Sequence, residues 1–337
     1  MPRSAPARPP ALTAARLVPL LAEQGIAAPG LHIEPHAQSG RNRVFTIRQE
    51  PGPGRWLAKQ GFSATNAEPW FYAAHPHLPF IPRCLLAQPS QNLIIIDFLD
   101  APSLQRLAGT EPLAVLPTLA RLGEPLAHLH HLRPLPTDAP PAYLPLPSLD
   151  PVDGDLLITS SPAAYAFIER LQARRRLRAC LRRAYSLPGP RGLIHADLKP
   201  DNILLTNQPI LIDWELAGIG PLGWDLGSLI GAMILHWAHH LELNRTTDPT
   251  DWINQSPIPF TDLHHAARTL LTNYLAKSTG PVPKRTLVAS YAATWLLSRV
   301  LVETAQLHAL NARHLLLLNI AEGLYADPFE LFGDLTW

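Results

Sequence analysis

The sequence predicts an α+β fold in two lobes, a small antiparallel sheet followed by a larger, mainly helical part. Three observations carry this. Short alternating or β-branched runs cluster ahead of Asp100, and apolar residues at helical spacing dominate from Leu113 onward. The chain has 337 residues, more than the ~100–200 that one folding unit usually takes.

Residues 1–12 are polar and proline-rich and read as a disordered tail, with no apolar run of signal-peptide length behind them. Leu17, Leu20 and Leu21 then recur at helical spacing between Ala14 and Glu23, ahead of Gly25. Arg43 to Arg48 and Arg55 to Lys59 alternate polar with apolar, and Glu50 to Gly54 (EPGPG) between them makes a hairpin. Gly52 and Gly54 are therefore turn residues rather than a phosphate loop. A helix near Asn66 to Ala74 and a β-branched strand, Leu93 to Phe98, complete a small lobe over 13–100.

The larger lobe covers 101–337. Leu113 to Leu132 predicts a helix with Leu122, Leu126 and Leu129 on one side, Arg133 to Pro151 an irregular excursion, and Pro162 to Tyr185 one long basic helix. Strands follow at Gly192 to His195, Ile203 to Leu205 and Ile210 to Ile212. From Asp225 the pattern is helical, including Leu287 to Leu301 and Arg313 to Leu324. The 37 prolines fall mostly between these segments, where they punctuate the reading.

Hydrophobic residues at 47% and charged residues at 16% describe a soluble globular protein. A net charge of +1 provides no overall field for nucleic acid or an anionic membrane, so neither is an expected partner. Cys84 and Cys180 stand far apart, which argues against a disulfide framework or a thiolate zinc site and makes the reducing cytoplasm the expected compartment. Leu222 to Trp237 and Tyr291 to Val302 are the most apolar stretches, yet they fall short of the ~20 residues of a membrane span and read as buried helices.

One constellation carries chemistry. His195-Ala196-Asp197-Leu198-Lys199-Pro200-Asp201-Asn202 lies between two strands, and Ile212-Asp213-Trp214-Glu215 follows the third. Phosphoryl transfer needs a carboxylate beside the attacking hydroxyl and oxygen ligands for Mg²⁺, and Asp197, Asn202 and Asp213 supply those groups.

The first segment resembles the H-x-D-x-x-x-x-N catalytic loop of kinase-fold phosphotransferases. The hydrophobic-Asp-Trp-Glu after it resembles the metal-binding segment of the aminoglycoside phosphotransferase and choline kinase type. The resemblance covers about Gly40 to Asp225 and implies a protein-kinase-like fold that uses ATP and Mg²⁺. It implies Asp197 as base, Asn202 and Asp213 as metal ligands, and His195, Lys199 and Asp225 as supports of the loop. It further implies Lys59 as the lysine on the ATP phosphates and Glu68 as its ion-pair partner. Gly40 and Asn42, in Ser39 to Val44, resemble the short phosphate-covering loop, although the kinase GxGxxG is absent. Asp97, Phe98 and Leu99 resemble the hinge that holds adenine through its backbone.

The acceptor implied is a hydroxyl of a small molecule or of a peptide Ser or Thr. Family members act on aminoglycosides, macrolides, choline, homoserine and sugars. Asp-Leu-Lys-Pro-Asp-Asn followed by Trp214 to Gly218 looks closest to the branch found in lanthipeptide biosynthesis. A rival reading is a pseudokinase that binds without turnover, against which Lys59, Asp197, Asn202 and Asp213 all stand intact.

Other features invite functional readings. Arg170, Arg174, Arg178 and Arg182 recur every fourth residue and would form one stripe on a helix, a solvated face or a patch for an anionic substrate. His236, His239 and His240 (HWAHH) could suggest a zinc hydrolase, but the Glu of HExxH is missing. Asp262, His264 and His265 lie in the helical region that forms the acceptor wall in related enzymes.

Overall fold

The computed structural model describes residues 10–26, 29–36, 42–63, 66–144, 152–186, 189–243 and 249–327. Helix α1 (Ala14–Glu23) starts at Thr13, whose hydroxyl accepts the Arg16 N–H at 3.3 Å, and it buries Leu17 and Leu21. Part of the expected tail is placed. Leu12 is buried, and its N–H donates to Gln60 Oε1 at 2.7 Å, so residues 10–12 lie along the sheet; residues 1–9 are outside those described.

The N-lobe sheet contains β1 (Leu31–Pro35), β2 (Arg43–Gln49) and β3 (Arg55–Gln60). Helix α2 (Glu68–Ala74), β4 (Cys84–Gln88) and β5 (Leu93–Asp97) follow. All pairings are antiparallel, in the order β1-β2-β3-β5-β4. The sequence reading missed β1 and β4, which are short and lack a clear alternation ending in turn residues. Strand β5 reads as an unbroken apolar run because both faces are covered. Leu93 and Ile95 join the small core under α1, while Ile94 and Ile96 join the large core shared with α2 and the C-lobe. The same parity turns Trp56, Ala58 and Gln60 of β3 inward and leaves Lys59 on the opposite face, opposite Val44 of β2 and Ile94 of β5.

The larger lobe begins with α3 (Leu104–Ala108), α4 (Val115–Ala120) and α5 (Gly123–His130). The helix expected over Leu113 to Leu132 is thus divided. Pro125 has no N–H to give the Arg121 carbonyl, and the chain breaks at Arg121 and Leu122. Next come α6 (Gly154–Thr159), α7 (Pro162–Ala173) and α8 (Arg175–Ser186), which correct the single basic helix. The break falls at Arg174, φ −94° and ψ 89°, whose guanidinium reaches Glu322 at 2.6 Å and Asn319 at 2.8 Å. Turning there lets Leu171 on one side and Leu177 and Leu181 on the other all reach the core. The four arginines therefore do not share one helical face.

Two small two-stranded sheets hold the motif. β6 (Arg191–Ile194) pairs with β9 (Gly218–Pro221), and β7 (Ile203–Leu205) with β8 (Pro209–Leu211). Strand β9 escaped the sequence reading because its residues, GIGP, read as a turn. Gly218 adopts φ +158°, and a Cβ there would stand 2.4 Å from the Pro140 carbonyl, so glycine lets the proline-rich excursion dock parallel to β9.

The remaining helices are α9 (Gly223–His239), α10 (Pro249–Asn254), α11 (Phe260–Lys277), α12 (Arg285–Thr304) and α13 (Ala312–Ala326). Helix α9 is buried around nearly its whole circumference because it runs through the centre of the lobe. At Gly227 a Cβ would lie 2.6 Å from Tyr291 Cβ, a measure of how closely α12 approaches. No described helix is long and apolar enough to cross a membrane.

Candidate active site

The catalytic loop leaves β6 at His195, which is fully buried. Its Nε2 lies 2.9 Å from the Ile212 carbonyl, a pure acceptor, so that nitrogen carries the proton. Nδ1 then accepts the Asp197 N–H at 3.3 Å, and the ring is a neutral imidazole that joins the loop to the segment before Asp213. Ala196 sits at φ 71°, in the left-handed region that costs an alanine free energy. Asp225, on α9, offsets that cost by accepting the His195 N–H at 2.8 Å and the Ala196 N–H at 3.0 Å. Trp224 Nε1 donates to the Ala196 carbonyl at 2.7 Å.

This loop turns out the Asp197 carboxylate. Lys199 Nζ is 2.5 Å from its Oδ2, and Asn202 Nδ2 donates to the same oxygen at 3.1 Å and to the Asp197 carbonyl at 2.9 Å. Both hydrogens of the Asn202 amide are therefore spent, which leaves its Oδ1 as the free donor atom for a cation.

Asp213 takes φ 66°, a left-handed turn that an Asp tolerates better than most residues. Lys59 bridges it to Glu68, touching Asp213 Oδ1 and lying 2.8 Å from Glu68 Oε2. Burial works against the charge of Lys59, but attraction to Glu68 and Asp213 outweighs it and holds the ammonium above its usual range. Burial pushes the Glu68 carboxyl up in spite of Lys59, whereas for Asp213 the pull of Lys59 outweighs burial and holds the carboxyl low. Asp213 is thus the more acidic of the two carboxyls.

Glu68 also accepts the Trp214 N–H at 3.3 Å. Trp214 stacks on Phe71 of α2, ring centroids 3.8 Å apart and nearly parallel, and meets His195 at 4.4 Å on its other side. Sequence reading used Trp214 only as a family marker, whereas its ring locks α2, the Asp213 segment and the catalytic loop into one stack. Glu215 continues the bridge between lobes. Its carbonyl accepts the Ala67 N–H at 2.9 Å, and its carboxylate faces Asn42 Nδ2 at 3.4 Å.

A cleft of about 1100 Å³ opens between the lobes, with Val44 and Leu57 above, Leu204 and Ile212 below, and Lys59, Asn202 and Asp213 at one end. These apolar walls were missed, although the alternation of β2 and β3 puts Val44 and Leu57 on the same face as Lys59. His36 also lines the cleft, with its Nδ1 3.0 Å from Thr46 Oγ1. At the hinge, the N–H groups of Asp97 and Phe98 are taken by the carbonyls of Arg83 and Arg55, at 2.9 and 3.0 Å. Of the three hinge residues, Leu99 alone keeps an N–H with no hydrogen-bond partner among the described residues. Asp197 stands beside the cleft rather than among the residues that wall it, covered by Lys199 and Asn202. Gly40 lies outside the described residues.

The donor set fits Mg²⁺. Asp213 and Asn202 present hard oxygens, and such an ion takes few protein ligands because substrate phosphates and water complete its shell. Among the described residues no group of three or more His, Cys, Asp or Glu forms a metal cage of its own.

The other candidates stay apart from this cleft. In the HWAHH helix His236 Nε2 donates to the Pro112 carbonyl at 2.9 Å, His240 Nδ1 lies 2.8 Å from the His236 carbonyl, and His239 faces Glu303 at 3.4 Å. Asp262 and His265 are exposed on α11, and His264 is half-buried there. Burial lowers the His236 pKa from 6.5 to about 4. The unfolded chain then binds the extra proton between those values, so stability is intact above pH 6.5 and falls as the pH drops toward 4. A displacement of that size is worth about 3 kcal/mol. His236→Gln keeps the donor without the titration, and thermal unfolding between pH 7 and pH 4 should show a shallower acid loss than wild type.

Residues 32–244 match the phosphotransferase enzyme family, a span that contains the whole cleft. The chain belongs to this family. No curated protein sequence matches it. Among solved structures, this phosphotransferase is similar to a spectinomycin phosphotransferase bound to ADP and spectinomycin, at 14% identity, TM-score 0.53, covering 95% of this chain and 99% of that one. It is also similar to a choline kinase from Cryptosporidium parvum, at 13% identity, TM-score 0.53 and coverage of 94% and 96%. A microcompartment-associated aminopropanol kinase gives 15%, 0.53, 93% and 96%. These likenesses establish the two-lobed, protein-kinase-like fold, and with the family match they make the chain a kinase-like phosphotransferase.

Proposed function

We propose that the chain transfers the γ-phosphoryl group of ATP to a hydroxyl of a small molecule or of a peptide Ser or Thr. The observation that carries this is the convergence of Lys59, Glu68, Asn202 and Asp213 from four separate stretches of chain at one end of a cleft, with Asp197 beside it on the same loop as Asn202. In this reading 13–100 hold the nucleotide and 101–337 hold the metal and the acceptor.

Leu99 N–H pairs with the adenine edge between Val44 and Leu57 above and Leu204 and Ile212 below. Lys59, kept charged by its two carboxylates, fixes the α and β phosphates, with Asn42 at the covering loop. Asn202 Oδ1 and Asp213 hold Mg²⁺, which when bound neutralises phosphate charge. Asp197 orients the acceptor hydroxyl and takes its proton as the oxygen bonds to the γ-phosphorus and the bond to the β-phosphate oxygen breaks, releasing ADP. Lys199 places a positive charge where the phosphoryl group lands.

Incubation with ATP, Mg²⁺ and a panel of aminoglycosides, macrolides, choline, homoserine and lanthipeptide-type Ser/Thr peptides, read by mass spectrometry, tests the reading. One acceptor should gain a phosphate. ATP binding with no phosphorylated product from any of them would favour the silent binding module.

A further inference from the structure

We propose that Tyr274 is a positioning residue for the catalytic loop, acting through His130 and Asp225, an inference that rests on the phosphotransfer reading above. His130 on α5 and Asp225 on α9 are fully buried, and Tyr274 on α11 is nearly so. Asp225 already accepts the His195 and Ala196 N–H groups, and its Oδ2 lies 3.3 Å from His130 Nε2. A carboxylate only accepts, so Nε2 carries a proton. On the other side of the ring, Nδ1 is 3.0 Å from the Tyr274 hydroxyl.

With the tyrosine donating, His130 is a neutral imidazole in the Nε2–H form, and both ring nitrogens have a partner. Asp225 fixes the tautomer, and the hydroxyl satisfies the ring nitrogen that Asp225 leaves open. Without the hydroxyl, the buried Nδ1 is left an acceptor with no donor, and the ring loses the contact that seats it against Asp225. That change alters the third contact of the carboxylate that holds Ala196 at φ 71°, one residue before Asp197. A residue of α11, far along the chain, thus tunes the placement of the Asp197 carboxylate.

Tyr274→Phe keeps the ring packing and removes only the hydroxyl. The expected result is a kcat lower by roughly tenfold with ATP affinity, measured by calorimetry, unchanged. The His130 Nδ1 ¹⁵N resonance should shift as that nitrogen loses its donor. In His130→Gln the amide supplies its own donor to Asp225, so adding Tyr274→Phe to it should cost nothing further. Unchanged kcat and ring resonances in Tyr274→Phe, an ATP affinity that falls in step with kcat, or additive losses in the double variant would overturn the proposal. A wild type that transfers no phosphate refutes the phosphotransfer reading instead, and the Nδ1 resonance still tests the Tyr274 contact.

Discussion

Asp197→Ala should lower kcat by roughly 10²–10⁴-fold, the range over which a positioned base contributes, while nucleotide affinity stays close to wild type. The argument for the split is geometric. Asp197 stands beside the cleft, with its carboxylate on Lys199 and Asn202, whereas the walls that would hold adenine and phosphates come from other residues. Asp197→Asn tests the same point without emptying the space, since it retains the side-chain shape and an acceptor for Asn202 but cannot take the proton. Steady-state rates and calorimetric ATP binding, measured on both variants, check the expectation. Loss of binding in parallel with rate would assign Asp197 to nucleotide binding and sink its role as base.

Asp213→Asn should cost roughly a thousandfold in rate, the scale attached to losing a group that stabilises transition-state charge, and it should weaken ATP binding only when Mg²⁺ is present. The charge of Asp213 is what the site conserves. Lys59 holds its carboxyl low, so at neutral pH an anion faces the cleft, and removing it deprives the metal of its charged ligand. The same change leaves Lys59 with Glu68 alone, at 2.8 Å, so the lysine remains placed for the phosphates. Equal ATP affinities with and without Mg²⁺ in the wild type would contradict the assignment.

The family motif was the most legible part of the chain because its segments are local. His195 to Asn202 and Asp213 to Glu215 are short segments whose spacing is visible in one dimension. Strands β2, β3 and β5 were legible for a similar reason, since alternation and a proline-glycine turn are local signals. The misreadings came from tertiary packing. Nothing near Arg174 signals a stop; the break there goes with contacts of its guanidinium to Glu322 and Asn319 on distant α13. Likewise β9 depends on the approach of Pro140 to Gly218, and the hinge depends on which N–H groups Arg83 and Arg55 occupy. Trp214 was readable as a motif letter but not as the ring between Phe71 and His195, because stacking joins three distant segments.

The central claim is tested most directly by following label from γ-labelled ATP onto the acceptor panel with wild type, Asp197→Ala and Asp213→Asn in parallel. The account predicts labelled acceptor with the wild type in Mg²⁺ and essentially none with either variant. Equal labelling by all three proteins, or no labelled acceptor from the wild type, would contradict it.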